Sequence, residues 1–244
     1  LASYAAAKQH IFAAAEVAIR NTDDAAVMAM SGGRKSLSFG CAPEADFRVA
    51  DGQVWEGHAP LCATASLRLV GRHNHLNAAA ALCFAKALGW DRAAALRGLS
   101  EFRGLEHRCE WVATQDGVTW INDSKGTNVG AMQAAIEGLD GPLIVLAGGQ
   151  AKGGDFSPLR ETLATKARRV ILFGQDAISI RAQLGSELNV ELVENLDQAV
   201  RRAAAVAESG DSVLLSPGCA SFDQFSGFEA RGEHFRHLVA EVSA

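Results

Sequence analysis

Three short stretches of this sequence combine charged, hydroxyl and glycine residues in the way an anion-binding loop requires. The first, Trp120-Ile-Asn-Asp-Ser-Lys-Gly-Thr-Asn128, sets Asp123, Ser124 and Lys125 in succession behind an apolar run, with Thr127 placed to cap a following helix. A helix N-terminus carries unpaired N–H groups and attracts negative charge. The second, Leu143-Ile-Val-Leu-Ala-Gly-Gly-Gln-Ala-Lys-Gly-Gly-Asp155, has glycines that let backbone approach a ligand closely, while Lys152 supplies a point charge. The third, Leu214-Leu-Ser-Pro-Gly-Cys-Ala-Ser-Phe-Asp-Gln-Phe225, opens from an apolar run onto small and hydroxyl residues. Taken singly, each has an ordinary structural explanation: a solvated turn, a tight glycine loop, a capped helix start. The glycine loop fits neither G-x-x-x-x-G-K-[ST] nor G-x-G-x-x-G, so by itself it specifies neither a nucleoside triphosphate nor a dinucleotide.

The elements that must position these stretches give them a common location. Leu143 to Ala147, Arg169 to Phe173, Val190 to Val193 and Ser212 to Leu215 are apolar runs without alternation, as strands buried on both faces should be. Cys109 to Thr114 and Val118 to Ile121 suit a hairpin, and Val129, Met132, Ile136 and Leu139 share one face of a helix. Strands alternating with helices imply right-handed crossovers and a mostly parallel sheet covered on both sides. Ligands of such sheets bind beyond the carboxyl ends of the strands, where all three stretches fall. The preceding region reads differently. A helix is expected over Tyr4 to Ala18, with Ala5, Ile11, Phe12 and Ala15 on a buried stripe, followed by short β runs at Lys35 to Phe39, Phe47 to Ala50 and Ser66 to Val70, best suited to antiparallel hairpins. An alanine-rich helix over Asn74 to Leu88 is stopped by Gly89, Asp91 caps the next helix, and Phe102 to His107 reads as a linker.

Composition bounds what such a protein does. With 48% apolar and 21% charged residues over 244 positions, the chain has the balance of a globular protein of one or two compact units. Its apolar runs are far short of the roughly 20 residues that cross a bilayer, and no basic-then-apolar signal opens it, which points to a cytoplasmic protein without membrane insertion. A net charge of -5 gives no footprint for nucleic acid. The cysteines Cys41, Cys62, Cys83, Cys109 and Cys219 are scattered without a C-x-x-C pair and read as small buried hydrophobes in a reducing compartment. The opening Leu1-Ala-Ser-Tyr runs into a helical pattern with no start methionine, and is expected to be interior to a longer chain.

In order and spacing, Asp123-Ser-Lys-Gly-Thr-Asn128, Gly148-Gly-Gln-Ala-Lys-Gly-Gly-Asp-Phe156 and Ser216-Pro-Gly-Cys-Ala-Ser-Phe-Asp-Gln-Phe-Ser-Gly-Phe-Glu-Ala-Arg-Gly232 resemble the C-terminal domain of the Mur ligases, in their D-glutamate-adding branch. Gly71-Arg-His-Asn-His-Leu-Asn77 and Gly104-Leu-Glu-His-Arg108 are similar to that family's central-domain helix and interdomain hinge. The resemblance covers essentially the whole chain, with only residues 32–65 poorly diagnostic. It implies an α/β protein in which residues 1–105 are the C-terminal part of a central ATP-binding domain and residues 106–244 a Rossmann-like domain, with a mostly parallel sheet, that binds the amino acid.

The resemblance also implies a reaction. Mur ligases use ATP and Mg2+ to convert a substrate carboxylate into an acyl phosphate, which an incoming amine attacks; here the partners would be UDP-N-acetylmuramoyl-L-alanine and D-glutamate, in peptidoglycan precursor synthesis by a monomer. Carried over by resemblance, Arg108 reaches the transferred phosphoryl group, Asp123 holds the ATP ribose, and Asn74 and Asn77 meet the adenine. Lys8, within Tyr4-Ala-Ala-Ala-Lys-Gln-His-Ile-Phe12, matches the lysine that the family carbamoylates to assist magnesium. Thr127 and Lys152 would take one carboxylate of D-glutamate, Ser221 and the Phe228 region the other, with Lys125 nearby. On residue chemistry alone, Asn74 is a helix cap, Arg108 a solvated hinge residue, Lys8 an exposed helical lysine and Phe228 a core residue.

The sequence departs from the family pattern by what it does not contain: no Walker A motif and no uridine-nucleotide domain, both of which precede this region in the family. The 244-residue chain alone is therefore expected to lack ligase turnover. Two other readings stay open at this stage: a sister amide ligase adding another amino acid to a Mur precursor or glutamate to a folate, and a stand-alone Rossmann-like binding module.

Overall fold

The computed structural model describes residues 2–67, 69 and 71–242. It contains two compact units, Leu1–Leu69 with His73–Arg103 and Val70–Arg72 with Gly104–Ala244.

In the first unit, α1 (Ala2–Ala13) leads into β1 (Val17–Asn21), the short α2 (Ala25–Met28), β2 (Lys35–Gly40), β3 (Phe47–Ala50), β4 (Gln53–Glu56) and β5 (Ala59–Ala63), then α3 (Arg72–Ala87) and α4 (Arg92–Glu101). The five strands form one sheet in sequence order. Phe47, Val54, Leu67 and Leu69 pack with Ala78, Ala79, Leu82 and Cys83 of α3 and with Ala95, Leu96 and Leu99 of α4 to make its core. Gly89 adopts φ +68 and ends the α3 turn, and the Asp91 side chain accepts from the Ala94 N–H at 2.8 Å, as cap chemistry requires.

Four expectations are not met here. The first helix stops at Ala13, and Val17 and Ala18 belong to β1 instead; β-branched Val and Ile in Val17-Ala-Ile19 gain more from sheet packing than from helix propensity. Ile11, assigned to the buried stripe, is 75% exposed. Only β3, β4 and β5 form an antiparallel meander, whereas β1 with β2 and β2 with β3 pair in parallel. Of the expected strand over Ser66 to Val70, Ser66 closes a 3-10 turn, Thr64–Ser66, while Arg68 and Val70 lie outside the described residues.

The second unit begins with the hairpin β6 (Glu110–Gln115) and β7 (Val118–Asn122), then α5 (Val129–Gly138), β8 (Leu143–Gly148), α6 (Leu159–Lys166), β9 (Ala167–Phe173), α7 (Ala177–Leu184), β10 (Val190–Leu192), α8 (Leu196–Val206), β11 (Ser212–Leu215) and α9 (Phe228–Val242). The sheet order is β10-β9-β8-β11-β7-β6, parallel except for β6. Alternate strand residues point to opposite faces. Leu143, Val145 and Ala147 of β8 join Met132, Ile136, Leu163 and Ile180 on one side. Ile144 and Leu146 join Val200, Ala203, Phe235 and Leu238 on the other. This α/β/α sandwich explains why the central strands lack alternation: neither face meets water. β10 departs from that expectation, since it is the sheet edge and Leu192 remains 36% exposed.

A candidate active site at the carboxyl edge of the second sheet

Because β7, β8, β9 and β11 run parallel, the segments leaving Asn122, Gly148, Phe173 and Leu215 emerge on one edge. Their backbones are tied to one another there. Gln150 and Ala220 exchange N–H···O=C bonds of 2.9 and 3.0 Å, an isolated antiparallel bridge between the second and third loops. The Gly218 N–H donates to the Gly126 carbonyl at 2.8 Å, joining the third loop to the first. Gly148 adopts φ +130, and a Cβ on it would sit 1.9 Å from the Phe173 carbonyl oxygen, so only glycine admits this turn.

Arg231 of α9 fastens the first and third loops. It is 1% exposed; its Nε donates to Ser124 Oγ at 3.0 Å, and its Nη2 donates to the Ser124 and Cys219 carbonyls at 2.8 and 3.1 Å. Ser124 Oγ in turn donates to the Phe228 carbonyl at 2.8 Å. Burial draws the guanidinium down to about 10, and it also pushes the Cys219 thiol up to about 12, so Cys219 is a neutral, inert packing group. A single buried arginine thus holds in register the loop of Lys125, the loop of Ser221 and the start of the helix carrying Phe228. Nothing in the local sequence around Arg231 distinguishes it from an ordinary helical arginine.

The predicted site residues occupy different environments. Lys125 is exposed, with Nζ 4.4 Å from the centroid of the Phe228 ring, close enough for a cation–π contact. Thr127 is exposed but is not the helix cap; Asn128 takes that place, accepting from the Ala131 N–H at 2.9 Å. Lys152 is exposed at φ +50, a left-handed conformation uncommon outside glycine, and its Nζ lies 5.5 Å from the Phe222 ring centroid. Ser221 is 3% exposed, and Phe228 is half-buried at the first turn of α9.

Asp123, by contrast, is 7% exposed and its carboxylate is already engaged: Oδ2 accepts from Ser216 Oγ at 2.7 Å and Oδ1 from the Cys109 N–H at 3.2 Å. Burial raises its pKa to about 6, against the opposing pull of those hydrogen bonds and of the Arg108 charge. Arg108 itself is exposed, between His107 and Cys109 with φ of 62 and 45. That strained turn is fixed by buried His107, whose N–H donates to Glu110 Oε2 at 2.9 Å and whose ring meets the Asn122 amide at 3.0 Å. Sequence reading passed over His107 and Asn122, because a histidine and an asparagine carry no signal of this pairing until β7 places them together.

In the first unit, Asn74 and Asn77 share one side of α3, with Asn77 Nδ2 3.4 Å from Asn74 Oδ1. Asn74 lies inside the helix rather than at its cap. Lys8 is exposed on α1, with Nζ 5.4 Å from the Tyr4 ring centroid. Among the described residues no group of three or more His, Cys, Asp or Glu is placed to hold a metal ion. A cleft of about 460 Å³ between α3 and α4, lined by Leu82, Trp90, Ala94, Leu99 and Phe102, contains none of the predicted residues. Among the described residues, no helix is long and apolar enough to cross a membrane.

Comparison with known proteins bears on this edge directly. Residues 107–219 match the family model "Mur ligase, glutamate ligase domain", which takes in the first two loops and the start of the third. Curated relatives named UDP-N-acetylmuramoylalanine--D-glutamate ligase include one from Nitrosococcus oceani, 45% identical over 99% of this chain and 55% of its own length. Another, from Chromohalobacter salexigens, is 46% identical over 97% of this chain and 54% of its own. The chain therefore spans about 55% of the length of the curated relatives it matches. Among solved structures, a pseudomurein peptide ligase type C from Methanothermus fervidus aligns with TM-score 0.70 at 16% identity, over 98% of this chain and 59% of that one. The MurF ligase from Thermotoga maritima in complex with ADP aligns with TM-score 0.61 at 19% identity, over 92% of this chain and 54% of that one. These two share the fold, while the sequence matches along nearly all of the chain carry the kinship: the chain belongs to the Mur ligase family.

Proposed function

We propose that the protein carrying this chain is an ATP-dependent amide ligase that adds D-glutamate to UDP-N-acetylmuramoyl-L-alanine, and that residues 106–244 bind the amino acid while residues 1–105 contribute to the ATP site. The observation that carries this is the tying of three polar loops along one sheet edge, in a chain whose curated relatives are named for that reaction. D-Glutamate carries two carboxylates, and the edge offers two separated lysines on rigid backbones together with Ser221 and the Phe228 backbone.

A carboxylate is a poor electrophile, and ATP supplies the activation by making it an acyl phosphate. The chain's own part is to bind and orient. Lys152 and Thr127 hold one carboxylate of D-glutamate and Ser221 with the Phe228 region the other, so that the amine is presented with its freedom already restricted. Lys125 adds positive charge beside that pocket. Arg108, projected by its strained turn, meets the negative charge that builds at the transferred phosphoryl group. Asn74 and Asn77 take the adenine. Asp123 contributes to the ribose contact through the loop it braces, as both carboxylate oxygens already accept protein hydrogen bonds. Lys8 is the residue to test for carbamoylation.

Lys152→Ala in the complete protein is expected to raise the KM for D-glutamate at least tenfold with a smaller change in the KM for ATP, since it removes a charge-assisted contact to a carboxylate worth about 1.5–3 kcal/mol. An unchanged D-glutamate KM in steady-state kinetics sinks the assignment. A sister ligase is distinguished in the same assay by preference for a different amino acid.

A further inference from the structure

Each lysine of the candidate amino-acid pocket lies over an aromatic ring supplied by the segment between β11 and the first turn of α9. Lys125 lies over Phe228; Lys152 lies over Phe222, which is 61% exposed and has no core to fill. An exposed phenylalanine at a polar edge is a cost in hydration unless something uses its face. From this we infer that Phe222 is a positioning residue for the amino-acid substrate: it holds the Lys152 ammonium in its carboxylate-receiving position before D-glutamate arrives. The inference rests on the D-glutamate reading proposed above.

The backbone geometry supports this role. The Lys152 loop is pinned beside the lysine, where the Ala151 N–H donates to Asp176 Oδ2 at 2.8 Å, and again where the Phe156 N–H donates to Gln183 Oε1 at 2.7 Å. The Phe222 segment is pinned by its neighbour Asp223, whose Oδ2 accepts from the Gln175 N–H at 3.0 Å. The Gln150–Ala220 bridge sets the distance between the two segments. With both backbones fixed, the remaining freedom is the four-carbon stem of Lys152, and its ordering opposes binding. Among the described contacts of Lys152, the Phe222 ring is the one that restrains Nζ. The ring occupies one face of the ammonium, which has three N–H donors, so a carboxylate is received without breaking the stack. Preorganisation of this kind strengthens binding by removing an ordering cost, not by adding a contact to the ligand.

The test is a double-mutant cycle in the complete protein. Phe222→Leu keeps an apolar side chain but removes the aromatic face; it is expected to raise the D-glutamate KM roughly two- to fivefold, as an exposed cation–π contact allows, with kcat unchanged. Phe222→Tyr retains a ring and is expected to match the parent within about twofold. In a Lys152→Ala background, Phe222→Leu is expected to add nothing, because the residue acts through that lysine. An unchanged KM for Phe222→Leu overturns the inference, as does an effect that persists in the Lys152→Ala background. The two failures separate cleanly. If Lys152→Ala raises KM while Phe222→Leu does not, only the role of Phe222 falls; if Lys152→Ala itself leaves KM unchanged, the pocket assignment falls and the role of Phe222 with it.

Discussion

Asp123 shows how a residue of obvious chemical type acquires its properties only from its surroundings. As part of Asp-Ser-Lys it reads as a ligand on an open loop; folded, it is a buried brace whose carboxyl titrates near 6, chiefly because of desolvation. A carboxyl whose folded pKa lies above the unfolded value of about 3.9 binds more protons folded than unfolded in the interval between them. Its contribution to stability is therefore fully present below about pH 4 and is lost as the pH rises through about 6. Asp123→Asn removes this titration. Compared with the variant, the parent is expected to lose about 3 kcal/mol between pH 3 and pH 7 in urea unfolding, the size that the difference between the two pKa values implies. Parallel stability curves for the two proteins across that range contradict the account. At this scale the sequence identified which residues are polar and near a strand end; it did not reveal which of them are already satisfied by other protein groups. Lys152 and Asp123 look alike as candidates, yet one is exposed and the other is 7% exposed.

At the scale of elements, the strands of the second sheet were legible because burial on both faces leaves an unbroken apolar run, and β8 and β11 carry one. The parallel pairing of β1, β2 and β3 was not legible, since short strands separated by Gly, Pro and Asp look alike whether they pair in parallel or as hairpins. Nor was the cap of α5: Thr127 and Asn128 are adjacent and both competent, and only backbone geometry selects Asn128. The loop glycines are a sharper test of element packing. Gly148→Ala places a Cβ 1.9 Å from the Phe173 carbonyl oxygen at φ +130, whereas Gly153→Ala, at φ +75, meets nothing within 4 Å. The first is expected to cost more than about 3 kcal/mol and the second about 1–2 kcal/mol, the left-handed penalty alone. Thermal unfolding of both variants checks this, and equal losses would contradict the packing described for the β8 turn.

Across the whole molecule, each compact unit has its own core, one built from β3, β4, α3 and α4 and the other from both faces of the second sheet. The proposed reaction requires more than these units contain, because the sequence has no phosphate-binding Walker A loop. The 244-residue chain by itself is expected to release no ADP when given ATP, D-glutamate and UDP-N-acetylmuramoyl-L-alanine. A coupled ADP assay checks this, and release dependent on both acceptor and amino acid would refute it.

The sequence by itself determined the alternation of strand and helix, the edge on which the three loops emerge, and the family resemblance, because each is written in local periodicity or in contiguous residues. The tertiary structure decided what depends on residues distant in the chain. Ser216 meets Asp123, Arg231 meets Ser124 and Cys219, and Lys152 meets Phe222. Such partners carry no mutual signal in a single sequence: their contact is set by sheet order and helix placement. The same residue types, unpaired, would have served as well on a solvated surface.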